Sequence, residues 1–251
     1  MSDSLPKPCW SEEDVDLTSL SYEDWVRYVF NNARFMDHDV CYSEPERLVE
    51  YLIRACKDFA SIGKRFSQEE IESAIWFLLG AAVEFGKCLL LTEVPLQKRL
   101  ACLRAMYHPF ADYLAVQGEK YSGVGFYMWW DLIVDNCFHR EEVQADWGRL
   151  VVLSEKSEKP LREAQLLWEQ IYRNATEDKR AVLDCTLEVL IRILHIDSLP
   201  CQGAALHGLG HLRHPRRAAV VQEYIEANRH IWSDNVECLH WLRHCRDGVV
   251  M

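Results

Sequence analysis

GAALHGLGHLRHPRRAAVVQEYIEAN, residues 203–228, divides into a short helix of small residues, a tight turn at Arg213, His214 and Pro215, and a longer helix. In the second helix Val220, Val221, Tyr224 and Ile225 recur at the 3.6-residue period. Ala204, Ala205, Gly208 and Leu209 line the inner face of the first, where small side chains let a partner backbone come close. The stretch is predicted to be a helical hairpin that cannot bury its apolar faces alone.

A pair of helices with Pro and Arg at its turn resembles one unit of a HEAT-like alpha solenoid. The resemblance implies stacked antiparallel helix pairs and a protein-binding surface along their edge.

Working outward, the rest of the chain repeats the helical signal. Ser21 with Asp24, Ser43 with Pro45 and Glu46, and Ser67 with Glu70 read as N-caps. The runs that follow them carry apolar residues at helical spacing: Trp25, Val26, Val29 and Phe30; Leu48, Leu52, Ala55 and Phe59; Ile71, Ala74, Ile75 and Leu78. Pro95 opens another helix, and Pro109 forces a kink or break near Tyr107. Phe126 to Val134 could be a strand by composition, but its period is helical, and its aromatics read as core anchors rather than a base-stacking platform. Glu84 reads as a solvent-facing or hydrogen-bonded carboxylate.

The expected fold is therefore all-α, as stacked antiparallel helix pairs in a HEAT-like alpha-alpha superhelix or an irregular helical array. Residues 1–19 are read as an irregular acidic arm, 20–153 as an N-terminal helical region, and 154–251 as a HEAT-like C-terminal region continuous with it. The polar run from Ser154 to Pro160 marks the boundary.

Composition narrows the function classes. The formal charge is −11, and the acidic excess lies before residue 154, since residues 154–251 hold 14 acidic and 13 basic side chains. Such a surface repels a phosphate backbone, so nucleic-acid binding is not expected. The apolar runs are broken by charge before a membrane span can form. Ten cysteines without a CxxC pair or a secretory leader are expected to be reduced, which points to a cytoplasmic protein. No cofactor is expected.

Two function classes remain. In the first, a non-enzymatic scaffold binds an acidic protein partner through Arg213, Arg216, Arg217, Arg229 and Trp232. The arginines at the hairpin turn are expected to be exposed, with guanidinium forks free for carboxylates. In the second, a metal-dependent helical enzyme uses the histidine-rich C-terminal third. His207 and His211 are four residues apart, as are His240 and His244, so each pair shares a helix face; His214 and Cys245 are further ligands. There is no HExxH, G-x-S-x-G, Walker or Rossmann sequence, and Cys201 near His207 lacks the context of a catalytic thiolate.

Overall fold

The computed structural model describes residues 14–31, 40–80, 82–138, 166, 169–232, 235–248 and 250, with side chains left out at 136–137 and 231–232. The protein is all-α. The one strand pairing described is a short parallel ladder, Val15 opposite Val40 and Asp16 opposite Cys41.

Of the segment read as an irregular arm, residues 14–19 carry one strand of that ladder, and residues 1–13 lie outside the described residues. Leu17 and Thr18 are fully buried. The Asp16 carboxylate accepts from the Thr18 amide at 2.9 Å and the Thr18 hydroxyl at 2.6 Å, and from the Ser43 hydroxyl. Burial pushes the Asp16 carboxyl upward, but the bonds from Ser43 and Thr18 outweigh it and hold it below the ordinary value. Ser43 is thus held by Asp16 instead of capping the next helix.

Helix α1, Tyr22–Asn31, starts where Ser21 and Asp24 bond reciprocally, as their spacing predicts. It buries Trp25, Val26, Val29 and Phe30. Helix α2, Pro45–Lys57, has Glu44 at its N-cap without a side-chain bond, and the fixed φ of Pro45 starts it. After α3, Phe59–Ile62, helix α4, Gln68–Leu79, opens on the predicted capping box between Ser67 and Glu70. Past α4, Glu84 sits in the left-handed region at φ 51° and ion-pairs with Lys87.

Helix α5, Leu96–Ala105, breaks at Met106, and the chain continues through a π-helical turn, Pro109–Leu114, into α6, Ala115–Gln117. Pro109 lacks the amide proton that a continuous helix requires, which is the physical basis of the expected break. Helix α7, Gly125–Ile133, is followed by a second π-helical turn, Val134–Phe138. Its Phe126, Trp129 and Trp130 are buried, as core anchors should be. Glu72 fixes where α7 begins. Its carboxylate accepts from the Gly125 amide at 2.7 Å, the Val124 amide at 3.0 Å, the Tyr121 hydroxyl at 2.7 Å and Trp76 Nε1 at 2.9 Å. A negative charge there also meets the positive end of the helix dipole.

Residues 169–174 are helical; the expected boundary from Ser154 to Pro160 lies outside the described residues. Helix α8, Glu177–Leu194, is capped by the Thr176 hydroxyl. Helices α9, Leu199–His211, and α10, Arg217–Ala227, form the two arms read in residues 203–228. The chain then turns through α11, Arg229–Trp232, into α12, Val236–Asp247, with Asn235 as N-cap and Gly248 at φ 73° as C-cap.

Helix α9 is the centre of the C-terminal half. Its most extensive neighbour is α7, followed by α8 and α12, with α10 a smaller contact. The small residues explain this: a Cβ at Gly208 would stand 2.6 Å from Trp130 Cβ, and one at Gly210 would stand 3.4 Å from the Cα of Cys245. Both Leu206 and Leu209 are buried, contributing about 1.5–3 kcal/mol each by removal from water. Among the described residues, no helix is long and apolar enough to cross a membrane.

Among the described residues, the cysteines depart from expectation at Cys41. Cys41 is disulfide-bonded, so the reading of ten reduced thiols fails there. Cys56, Cys88, Cys102, Cys185, Cys201, Cys238 and Cys245 are free, and all but Cys238 are buried.

Candidate metal centre

The contact between α7 and α9 brings acids and imidazoles together. Asp131 lies in the last turns of α7, Asp135 in the π-helical turn that follows, and His207 and His211 in the last turns of α9. Aromatic bulk at Phe126, Trp129 and Trp130 anchors one face of α7 in the core. Asp131 and Asp135 emerge beside α9 at the rim. Among the described residues, Asp131, Asp135 and His211 offer ligand atoms that all lie within 4.8 Å of one another.

His211 Nδ1 is 2.6 Å from Asp135 Oδ2 and 3.6 Å from Asp131 Oδ1. The other carboxylate oxygen of Asp135 faces Arg213 Nη2 at 3.9 Å. On the far side of His211, its Nε2 is 3.3 Å from Nε2 of His207. His207 is 1 % exposed; its Nδ1 is 3.1 Å from the Tyr127 carbonyl oxygen, and its ring stacks on that of Tyr127 with centroids 4.0 Å apart. The Tyr127 hydroxyl is in turn hydrogen-bonded to Trp241 on α12.

The electrostatics follow from burial at the edge of the core. Burial, helped by the neighbouring His211, pushes His207 down to about 4, against the pull of the Tyr127 carbonyl and Asp135. At neutral pH His207 is therefore an uncharged imidazole. Burial also raises the Asp131 carboxyl, with His211 acting against the shift and Asp135 adding to it. The side chains of Asp131, Asp135 and His211 keep a minor part of their surface in solvent, so the cluster can be reached from outside. Two carboxylates on one side of the His211 ring and a second imidazole on the other can hold a cation or relay a proton.

The second histidine pair stands apart. His240 and His244 lie on α12 with ring centroids 4.1 Å apart, and His240 is exposed. Burial and then His240 lower His244, with Asp247 opposing, whereas His207 responds to His211 and Asp135. The four histidines proposed as alternative ligands are thus two separate pairs. His214 serves another role: its Nε2 is 2.9 Å from Asp184 Oδ1 and its Nδ1 accepts the Arg216 amide at 3.1 Å, which ties α8 to the start of α10. Cys245 is fully buried, as is Cys201, whose thiol donates to the Phe110 carbonyl at 3.4 Å and is pushed up by burial.

The arginine surface also needs correction. Arg216 and Arg229 are exposed, but Arg213 is 7 % and Arg217 only 1 % exposed. Arg217 points from the first turn of α10 toward α12 and donates to the Arg246 carbonyl at 3.1 Å. Burial, followed by the charge of Arg213, pushes it down to about 9. Two of the three arginines expected to be exposed are internal struts, because Arg213 faces Asp135 in the π-helical turn after α7 and Arg217 faces α12. The Trp232 side chain lies outside the described residues.

The reading by spacing found His207 and His211 but missed Asp131 and Asp135. These carboxylates share the same four-residue spacing; the aromatic run beside them drew the reading toward core packing. No protein-family model matches the chain, and neither does any curated protein or solved structure.

Proposed function

We propose that this protein is metal-dependent, with its centre formed by Asp131, Asp135, His207 and His211. The observation that carries the reading is the convergence of three ligand atoms within 4.8 Å, from Asp131, Asp135 and His211. A second imidazole, His207, lies 3.3 Å from the first. The placement of Asp135 on a π-helical turn adds support, because such turns are used to aim side chains at functional sites. An ion there would be reachable by solvent and could act as a Lewis acid or lower the pKa of a bound water. The scaffold reading loses support with Arg213 and Arg217 buried, and keeps Arg216 and Arg229 as its exposed contacts.

Metal analysis of protein purified without added metal, and again after incubation with ZnCl2 and desalting, tests the proposal. About one ion per chain is expected for the wild type, and a loss of most of it for the Asp131→Asn/His211→Gln double variant. A wild-type protein that retains no metal under either condition overturns it.

A further inference from the structure

The hydrogen bonds around the two imidazoles carry the assignment further, on the reading just given. A carbonyl oxygen can only accept, so the 3.1 Å contact between His207 Nδ1 and the Tyr127 carbonyl puts the proton on Nδ1 and leaves Nε2 with its lone pair. An ionised carboxylate likewise only accepts. The 2.6 Å contact of His211 Nδ1 with Asp135 therefore puts a proton on that Nδ1. The remaining nitrogens face each other, with Nε2 atoms 3.3 Å apart in a hydrogen bond in which His211 donates to the His207 lone pair, so an ion between them displaces that proton.

We propose that His207 and His211 hold the ion through their two Nε2 atoms, with Asp135 and the Tyr127 carbonyl as the outer-shell acceptors, and that the ion is an imidazole-preferring one of the zinc class. A tetrahedral ion at about 2.0–2.1 Å from each of two nitrogens sets those nitrogens about 3.3–3.4 Å apart, which matches the observed separation. The arrangement of outer partners is the one that fixes a metal-bound imidazole: a carboxylate or carbonyl on the second ring nitrogen locks tautomer and ring orientation. His207 is locked further by the Tyr127 ring stacked on it and by Trp241, which holds Tyr127 from α12. Magnesium and calcium prefer shells of oxygen ligands. Here Asp135 is engaged with His211 Nδ1, and Asp131 lies on that same side of the ring at 3.6 Å, so the two nitrogens are the ligand atoms that face each other.

The site therefore discriminates by ligand type, and each outer partner is a positioning residue. Asp135 acts on the metal through His211, and Tyr127 acts through His207.

The test uses the full chain labelled with 15N on histidine, titrated with ZnCl2 in the presence and absence of excess MgCl2. Zinc is expected to shift Nε2 of both His207 and His211 to the metal-bound range, while both Nδ1 atoms stay protonated, and magnesium is expected to leave the four nitrogens unmoved. His207→Gln should weaken zinc at least about tenfold, and Asp135→Asn by about 10–100-fold, the usual cost of losing an outer partner. Zinc shifts on His211 Nδ1 instead of Nε2, or unchanged zinc affinity in a folded His207→Gln protein, overturns this inference while leaving a metal centre in place. Failure of the wild type to bind zinc at all overturns the metal-dependent reading itself. The wild-type spectrum decides the matter even if a variant does not fold.

Discussion

Gly208 lies against Trp130 so closely that a methyl group in place of its hydrogen would stand 2.6 Å from Trp130 Cβ and 2.9 Å from a methyl of Leu190. A glycine inside a helix costs about 0.5–1 kcal/mol relative to alanine. At this position the close approach of α9 to α7 offsets that cost. The same approach brings His207 and His211 to Asp131 and Asp135, so the fold of the core and the geometry of the candidate centre are one arrangement.

Gly208→Ala is accordingly expected to destabilise the protein, by about 1–3 kcal/mol, the range for overpacking a closed core. Because α9 must move away from α7, zinc affinity should fall as well. Urea denaturation and zinc titration of the same variant measure the two effects; an alanine that raises stability, as helix propensity alone predicts, would contradict the packing.

The arginine pair Arg216 and Arg217 separates surface from interior in adjacent residues. Arg216→Glu should change stability by no more than about 0.5 kcal/mol, as an exposed substitution does. Arg217→Glu places the opposite charge in a site 1 % exposed and should cost about 3–5 kcal/mol, the range for breaking a buried charge's interactions. Denaturation midpoints of the two single variants provide the comparison, and equal midpoints would place Arg217 at the surface.

Glu72 gathers two backbone amides, a phenol and an indole at the start of α7. Glu72→Ala leaves those donors without their shared acceptor and should cost about 2–4 kcal/mol, since bonds to a charged group are the stronger kind. Glu72→Gln retains one acceptor oxygen and should cost less. Hydrogen exchange at the Val124 and Gly125 amides reports the loss directly; protection unchanged in the alanine variant would rule out this capping role.

Acid sensitivity is expected from His214. Burial lowers its pKa from 6.5, against the opposing pull of Asp184, while Arg216 and Arg217 add to the lowering. The folded protein therefore keeps His214 neutral at a pH where the unfolded chain already takes up a proton. Its contribution to stability is complete above 6.5 and is lost as pH falls below that toward the depressed folded value. Denaturation at about pH 7.5 and about pH 5.5 should show a smaller loss for His214→Gln than for the wild type. An identical loss in both would place the acid sensitivity elsewhere.

The sequence by itself determined the helices and several of their ends. Ser67 with Glu70, Ser21 with Asp24, and Pro109 act through bonds or clashes that span three or four residues, so neighbours along the chain suffice to read them. The buried aromatics of α7 were legible for the same reason, since a 3.6-residue period is a local property. Ser43 shows the limit: its local signal is a cap, yet Asp16, 27 residues away, takes its hydroxyl. Tertiary structure alone decided that Arg217 is internal, because the first turn of α10 faces whatever packs there, and α12 does. It also decided the candidate centre. His211 and Asp135 are 76 residues apart, each pair of ligands follows from helical spacing on its own helix, and only the close packing of α9 on α7 at Gly208 sets one pair against the other.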